Sequence, residues 1–300
     1  MANLIILILA LVFWGFTSAY SLPFVVFHGI GDKCTNSGLK SFTNLLSKWS
    51  GSKGHCIEIG NGAGDSWFMP FTKQTEIACE QVKNISALSH GYNIVGFSQG
   101  NILGRAVIEF CEGAPKVNNF VSLGGPHAGI ASIPFCGSGG FCILVDYLIK
   151  LGVYSKYVQE HLAPAGYIKI PTGINQYMKG CKFLPQLNNE YKDHKNAVYT
   201  KRFASLQNLV LIMFEDDKVL VPKETSWFGY FSDGSRDKVL PAQETTLYQE
   251  DWIGLRSLDE AGRVQYINVS GGHLEISNID IKKYIVPYLE RSASRYRLSI

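Results

Sequence analysis

Ser98 stands between two glycines, in the run Gly96-Phe97-Ser98-Gln99-Gly100. The apolar YNIVGF (92–97) before it reads as a buried strand, and ILGRAVIEFC (102–111) after it reads as a helix. A serine nucleophile asks for that setting. A tight strand-to-helix turn needs small flanking residues, because side chains at 96 and 100 would meet neighbouring backbone. The turn lifts the hydroxyl above the sheet edge, and the helix beginning there adds its N-terminal dipole and free N–H groups. The plainer reading is an ordinary turn serine, which a GxSxG pattern alone does not exclude.

A serine hydroxyl needs a base, and the base needs an orienting acid. With a nucleophile on this kind of elbow, the chain order is serine, then Asp or Glu, then His. NLVLIMFEDD (208–217) ends a strand in Asp216-Asp217, and RVQYINVSGGH (263–273) ends one in a Gly-Gly turn and His273. The other histidines fit less well. His28, His55 and His90 precede Ser98, and His161 and His194 fall in a long insertion. His127, like His28, sits in a Gly/Pro-rich turn where it could line the site or simply serve the turn. Of the two adjacent acids, one points into the site and one away. Asp217-Lys-Val-Leu-Val-Pro222 resembles the Asp-x-x-Val-x-Pro run that often follows this strand in serine hydrolases, which favours Asp217 over Asp216. An oxyanion needs two donors: the N–H of Gln99, next to the nucleophile, and that of Ile30 in FHGIGD, the turn after an early strand. This turn is not a dinucleotide fingerprint, because Cys34 stands where the third glycine belongs. With no HExxH or EF-hand pattern, neither a metal nor any other cofactor is expected.

These residues must be carried by strands and helices in alternation. LPFVVFHGIG (22–31), HCIEIG (55–60), YNIVGF, FVSLGG (120–125), NLVLIMFEDD and RVQYINVSGGH read as strands. Residues 39–50, FTKQTEIACEQVKNISAL (71–88, with Ile77, Val82 and Ile85 near one face), 102–111 and 279–292 read as helices. Buried strands alternating with helices predict an α/β fold with a mostly parallel sheet covered on both faces. Residues 126–206 interrupt the alternation, an excursion of the size that often caps a binding site.

Composition narrows the class. Apolar residues at 46 % and charged residues at 18 % suit a large core and argue against disorder. A net charge of +3, with no long basic run, points away from nucleic acid. The uncharged MANLIILILALVFWGFTSAYSLP has an apolar stretch too short for a span and ends in Thr17-Ser18-Ala19. It reads as a signal peptide over 1–19, with residues 20–300 as the mature domain and no stable membrane span after cleavage. The seven cysteines include no CxxC pair and suit disulfides in an oxidising compartment. Asn84 and Asn268 head Asn-x-Ser sequons; Asn84 is on a helix and open to a glycan, Asn268 in a strand and less accessible.

Across this frame FHGIGD, YNIVGFSQG with NILGRAV, VSLGGPHAGI, WFGYF, LPAQETTLYQEDWIGL with AGRVQ, and GGHLEIS follow one another in order. Together they resemble the palmitoyl-protein thioesterases of the lysosomal type. The resemblance implies an α/β-hydrolase fold with a cap insertion at about 126–206. It implies Ser98 as nucleophile, Asp217 as acid, His273 as base, and Ile30 and Gln99 as the oxyanion-hole positions. Implied substrates are S-palmitoylated proteins or peptides and long-chain acyl thioesters. A Cys79–Cys111 disulfide is implied, and so is a Cys136–Cys142 pair. Cys34 and Cys56 depart from the family pattern, and their pairing is inferred only from their place after neighbouring strands; Cys181 has no evident partner. The implied location is the secretory pathway, in a lysosome or vacuole, or outside the cell. Ile143, Leu144, Leu148, Ile149 and Val153 could line an acyl groove, though their helical spacing is equally that of core. Two other functions use the same frame: a secreted lipase or carboxylesterase acting on oxygen esters, and an idle hydrolase fold that carries lipid. The second would be marked by a missing triad member, and none is missing.

Overall fold

The structure, a computed structural model, describes residues 21–131 and 152–290. The expected signal peptide, Cys136, Cys142, Ile143, Leu144, Leu148, Ile149 and the last ten residues lie outside the described residues. Six strands form one parallel sheet: β1 (Phe24–Phe27), β2 (Gly54–Ile57), β3 (Tyr92–Phe97), β4 (Val117–Leu123), β5 (Asn208–Phe214) and, numbered eighth along the chain, β8 (Val264–Val269). Their order in the sheet is β2-β1-β3-β4-β5-β8. Every residue of β1 and β3 is buried, as continuous apolar runs in a doubly covered sheet should be. A short antiparallel hairpin, β6 (Tyr230–Phe231) and β7 (Val239–Leu240), stands apart and has no counterpart in the sequence reading.

Side-chain alternation divides the core into two layers. Val25, Phe27, Ile94, Phe120, Leu209 and Leu211 face α3 (Phe71–Asn84) and α4 (Gly100–Phe110). Phe24, Val26, Val95, Val121, Val210 and Ile212 face α1 (Ser37–Ser50) and the helix Asn278–Tyr284. Between α1 and α3 a short helix, α2 (Ala63–Phe68), lies close to the turn after β1. The chain runs outward from β1 to β2 and returns to β3 on the other side of β1. The crevice at the carboxyl ends of β1 and β3 is therefore a topological switch point, where open parallel sheets bind ligands.

Two helices are shorter than the sequence pattern suggests. The helix expected over 71–88 stops at Asn84, where Ile85 turns extended (φ −82°, ψ 97°), and a 3-10 turn covers Ser86–Leu88. Its buried face is Phe71, Gln74, Thr75, Ala78 and Val82, with Ile77 only half-buried. The closing helix ends at Tyr284 because Pro287 lacks an amide donor for the next turn. Disulfides join Cys34 to Cys56 and Cys79 to Cys111, while Cys181 is a buried free thiol whose pKa burial pushes up to about 12. The Cys79–Cys111 bridge ties α3 to the end of α4, on either side of the elbow strand. No helix among the described residues is long and apolar enough to cross a membrane.

Candidate active site

Ser98 follows the last residue of β3 and takes φ 47°, a left-handed conformation that a non-glycine residue enters only where surrounding packing holds it. Its neighbours supply the hold. The Ser98 N–H donates to Leu123 O at 2.9 Å, and Asn101 Nδ2 donates to Ser98 O at 3.0 Å and to Leu123 O at 2.9 Å. The glycines are steric requirements. A Cβ at Gly96 would lie 2.2 Å from Asn101 Oδ1, and one at Gly100 would lie 2.4 Å from Phe27 O and 2.5 Å from His28 O. Asn101, absent from the sequence reading, could have been suspected from its place three residues past the serine, where a side-chain amide reaches back to the turn.

His273 Nε2 lies 2.9 Å from Ser98 Oγ, and its Nδ1 lies 2.6 Å from Asp217 Oδ2. The other carboxylate oxygen, Oδ1, accepts the N–H groups of Val219 at 2.8 Å and Leu220 at 3.0 Å. A carboxylate facing Nδ1 selects the tautomer protonated there, leaving Nε2 as acceptor for the Ser98 hydroxyl. Asp217 is buried, whereas Asp216 is exposed and its N–H donates to Gly271 O. The His273 turn is braced by Glu275, whose Oε2 accepts the Gly272 N–H at 2.8 Å. Gly124, at φ 56°, leaves space for the imidazole, since a Cβ there would approach His273 Cε1 to 3.1 Å.

The turn after β1 lies beside the elbow, and a Cβ on Gly29 would be 3.5 Å from Ser98 Cβ. Ile30 belongs to this turn and Gln99 to the start of α4. Among the described residues, no group accepts a hydrogen bond from the backbone N–H of either. The structure thus brings Ser98, Asp217, His273, Ile30 and Gln99 to one end of the sheet, at the carboxyl ends of β1, β3, β5 and β8. It does not bring the other histidines into that group. His28 is buried with Nδ1 2.9 Å from Gly29 O and Nε2 3.1 Å from Glu58 Oε1. His127 is buried with Nε2 2.8 Å from Ser122 Oγ and its ring stacked on Phe228, and burial holds it well below the usual imidazole range. Both serve hydrogen bonds of their turns.

A cavity of about 510 Å³ opens elsewhere, among Lys169, Met178, Glu190, Phe228, Tyr230 and Trp252, and none of the five site residues lines it. Val153 is buried in the core and also borders a shallow pocket with Tyr154, Ile170 and Gln176. Arg105 and Glu109 form a fully buried pair on α4 at 2.9 Å, and the guanidinium also donates to His127 O, Asn188 Oδ1 and Leu187 O. This pair anchors the insertion to the helix behind the elbow. Both sequon asparagines are exposed. Asn84 ends α3, and Asn268 is open because β8 is the edge strand, contrary to the lower accessibility expected of a strand position.

The chain matches the family described as palmitoyl protein thioesterase over residues 23–273. It is 39 % identical over 277 residues to palmitoyl-protein thioesterase 1 of Caenorhabditis elegans, covering 88 % of this chain and 92 % of that protein. It is 37 % identical over 232 residues to palmitoyl-protein thioesterase 3 of Dictyostelium discoideum, covering 77 % of each. With lysosomal thioesterase PPT2 of Homo sapiens, identity is 26 % over 262 residues, covering 83 % of this chain and 80 % of that protein.

Proposed function

The chain belongs to the palmitoyl protein thioesterase family and has the α/β-hydrolase fold, and on that premise we propose that it hydrolyses long-chain acyl thioesters of protein cysteines through an acyl-enzyme on Ser98. The observation that carries this reading is the unbroken hydrogen-bonded chain from Ser98 Oγ through His273 to Asp217 on a left-handed elbow.

In the first half-reaction Ser98 Oγ bonds to the thioester carbon and its proton passes to His273 Nε2. The carbonyl π pair moves onto oxygen, where the N–H groups of Ile30 and Gln99 receive the charge. The intermediate collapses with cleavage of the C–S bond, and the imidazolium protonates the departing thiolate. Water then gives its proton to His273 and attacks the acyl-enzyme, releasing fatty acid and regenerating Ser98. Asp217 holds the Nδ1 tautomer and offsets the imidazolium charge throughout. No cofactor enters these steps.

The insertion at about 126–206 is the element we assign to the acyl chain, since each CH₂ withdrawn from water is worth about 0.8 kcal/mol and a C16 chain rewards a long groove. Two disulfides suit an oxidising compartment. With the leader over 1–19, exposed sequons at Asn84 and Asn268 and the lysosomal description of a relative, they support a secretory route ending in a lysosome or vacuole.

The test is hydrolysis of an S-palmitoyl peptide against the matched O-palmitoyl ester, with Ser98→Ala as control. Thioester preference that disappears in Ser98→Ala is the expected result. Preference for the oxygen ester would replace this reading with a lipase or carboxylesterase using the same three residues. Undiminished activity in Ser98→Ala would remove Ser98 as the nucleophile.

A further inference from the structure

The Gln99 side chain points away from the reacting atoms, into a fully buried polar seam. Its Nε2 donates to Ser66 O at 2.7 Å, and its Oε1 accepts the Tyr167 hydroxyl at 3.0 Å. Ser66 lies on α2 and is 1 % exposed; its Oγ accepts the Gly31 N–H at 2.8 Å and donates to Ala63 O at 2.7 Å. Gly31 is the residue after Ile30 and takes φ 72°, a conformation suited to glycine. The two backbone donors assigned to the oxyanion are therefore joined by a second route besides the sheet. From Gln99 it passes through the Gln99 side chain to Ser66, and through the Ser66 hydroxyl to Gly31 and Ile30.

Tyr167 gives this route its third anchor. It belongs to the insertion, its backbone O accepts the Ile130 N–H at 3.0 Å, and its ring packs edge-on against Phe71 at 5.5 Å. Its hydroxyl is buried, its ring is 1 % exposed, and burial raises its pKa, so it acts as a neutral donor. The Ser66 carbonyl can only accept, which fixes the Gln99 amide with Nε2 toward Ser66 and Oε1 toward the Tyr167 hydroxyl.

We propose that Ser66 and Tyr167 are positioning residues that set the spacing of the Ile30 and Gln99 N–H groups, so that the insertion, through Tyr167, holds the oxyanion hole in its working geometry. This rests on the acyl-enzyme reading above. Oxyanion donors act only when aimed at the transition-state oxygen, and removing one costs about 10²- to 10³-fold in kcat. A displaced donor costs part of that. We expect about tenfold loss of kcat in Tyr167→Phe and about thirtyfold in Ser66→Ala, with KM unchanged within about twofold. The residues act as one unit, so the double variant should lose little more than the worse single.

The experiment measures kcat and KM on the S-palmitoyl peptide and the affinity of a palmityl trifluoromethyl ketone, which adds to Ser98 Oγ and leaves its charged oxygen in the hole. Loss of ketone affinity in step with kcat, at unchanged KM, is the expected result. Tyr167→Phe keeps the ring and removes one hydroxyl, so it decides the matter should Ser66→Ala fail to fold. Ketone affinity and kcat both within about twofold of wild type in Tyr167→Phe would overturn the proposal, as would a rise in KM alone. The ketone arm separates the two levels: wild type that binds the ketone but leaves the thioester intact sinks the thioesterase reading, while the variants still report on positioning.

Discussion

Asp217→Asn should nearly abolish turnover while leaving the fold intact, and the hydrogen bonds say why. Oδ1 of Asp217 receives two backbone N–H groups, from Val219 and Leu220, at 2.8 and 3.0 Å. An asparagine must offer its oxygen to those donors, because its NH₂ there would face two N–H groups. The NH₂ then falls where Oδ2 was, 2.6 Å from His273 Nδ1. A donor at that place forces Nδ1 to accept and moves the ring proton to Nε2, which lies 2.9 Å from Ser98 Oγ and can no longer take its proton. The corresponding change in a Ser-His-Asp enzyme lowers kcat about 10⁴-fold without disturbing geometry. At about 1.36 kcal/mol per tenfold, that is roughly 5.5 kcal/mol of lost transition-state stabilisation. The assay is thiol release from an S-palmitoyl peptide, with Asp216→Asn as the matched control. Asp216 is exposed and should stay within about twofold of wild type. Asp217→Asn losing less than about tenfold, or Asp216→Asn losing as much as Asp217→Asn, would refute the tautomer argument.

Gly100→Ala should separate the elbow from the turn after β1, since its Cβ would meet the backbone carbonyls of Phe27 and His28 at 2.4 and 2.5 Å. Relief requires a shift of roughly an ångström, enough for about a 10²-fold fall in kcat/KM and a lower melting temperature. A variant with wild-type kinetics would show that the elbow tolerates the shift. Glu109 is expected to make stability pH-dependent, because burial outweighs the attraction of Arg105 and pushes its pKa up to about 7. A carboxyl whose folded pKa exceeds its unfolded value binds more protons when folded, so its contribution is fullest below about pH 4.5 and falls as pH rises through 7. Glu109→Gln removes that titration, so urea unfolding should show its deficit relative to wild type shrinking from pH 5 to pH 7.5; a constant deficit would count against it.

Local chemistry was legible because it is written in short runs. The elbow needs a glycine two residues to either side of Ser98, and the strands that carry Asp217 and His273 end in recognisable turns, so each candidate site residue had a nearby signal. Asp217 over Asp216 was a weaker inference, resting on a likeness of sequence, because direction at a strand end is set by the backbone hydrogen bonds of Val219 and Leu220. What stayed hidden depends on partners far along the chain. Arg105 and Glu109 carry no local mark of burial; the segment folding back over α4, through Asn188 and Leu187, buries them. Asn268 read as sheltered in a strand, yet β8 lies at the edge of the sheet, a fact of strand order that no local pattern encodes. Ser66, Gln99 and Tyr167 show the same limit at the site itself. Gln99 was named from the elbow motif for its backbone N–H, but its side-chain contacts span 33 and 68 residues, and nothing local encodes them. A candidate nucleophile can thus be read from its turn, whereas the proposed aim of the oxyanion donors depends on side chains that meet only in the folded chain. Substitutions in the insertion should therefore alter turnover as well as acyl-chain preference.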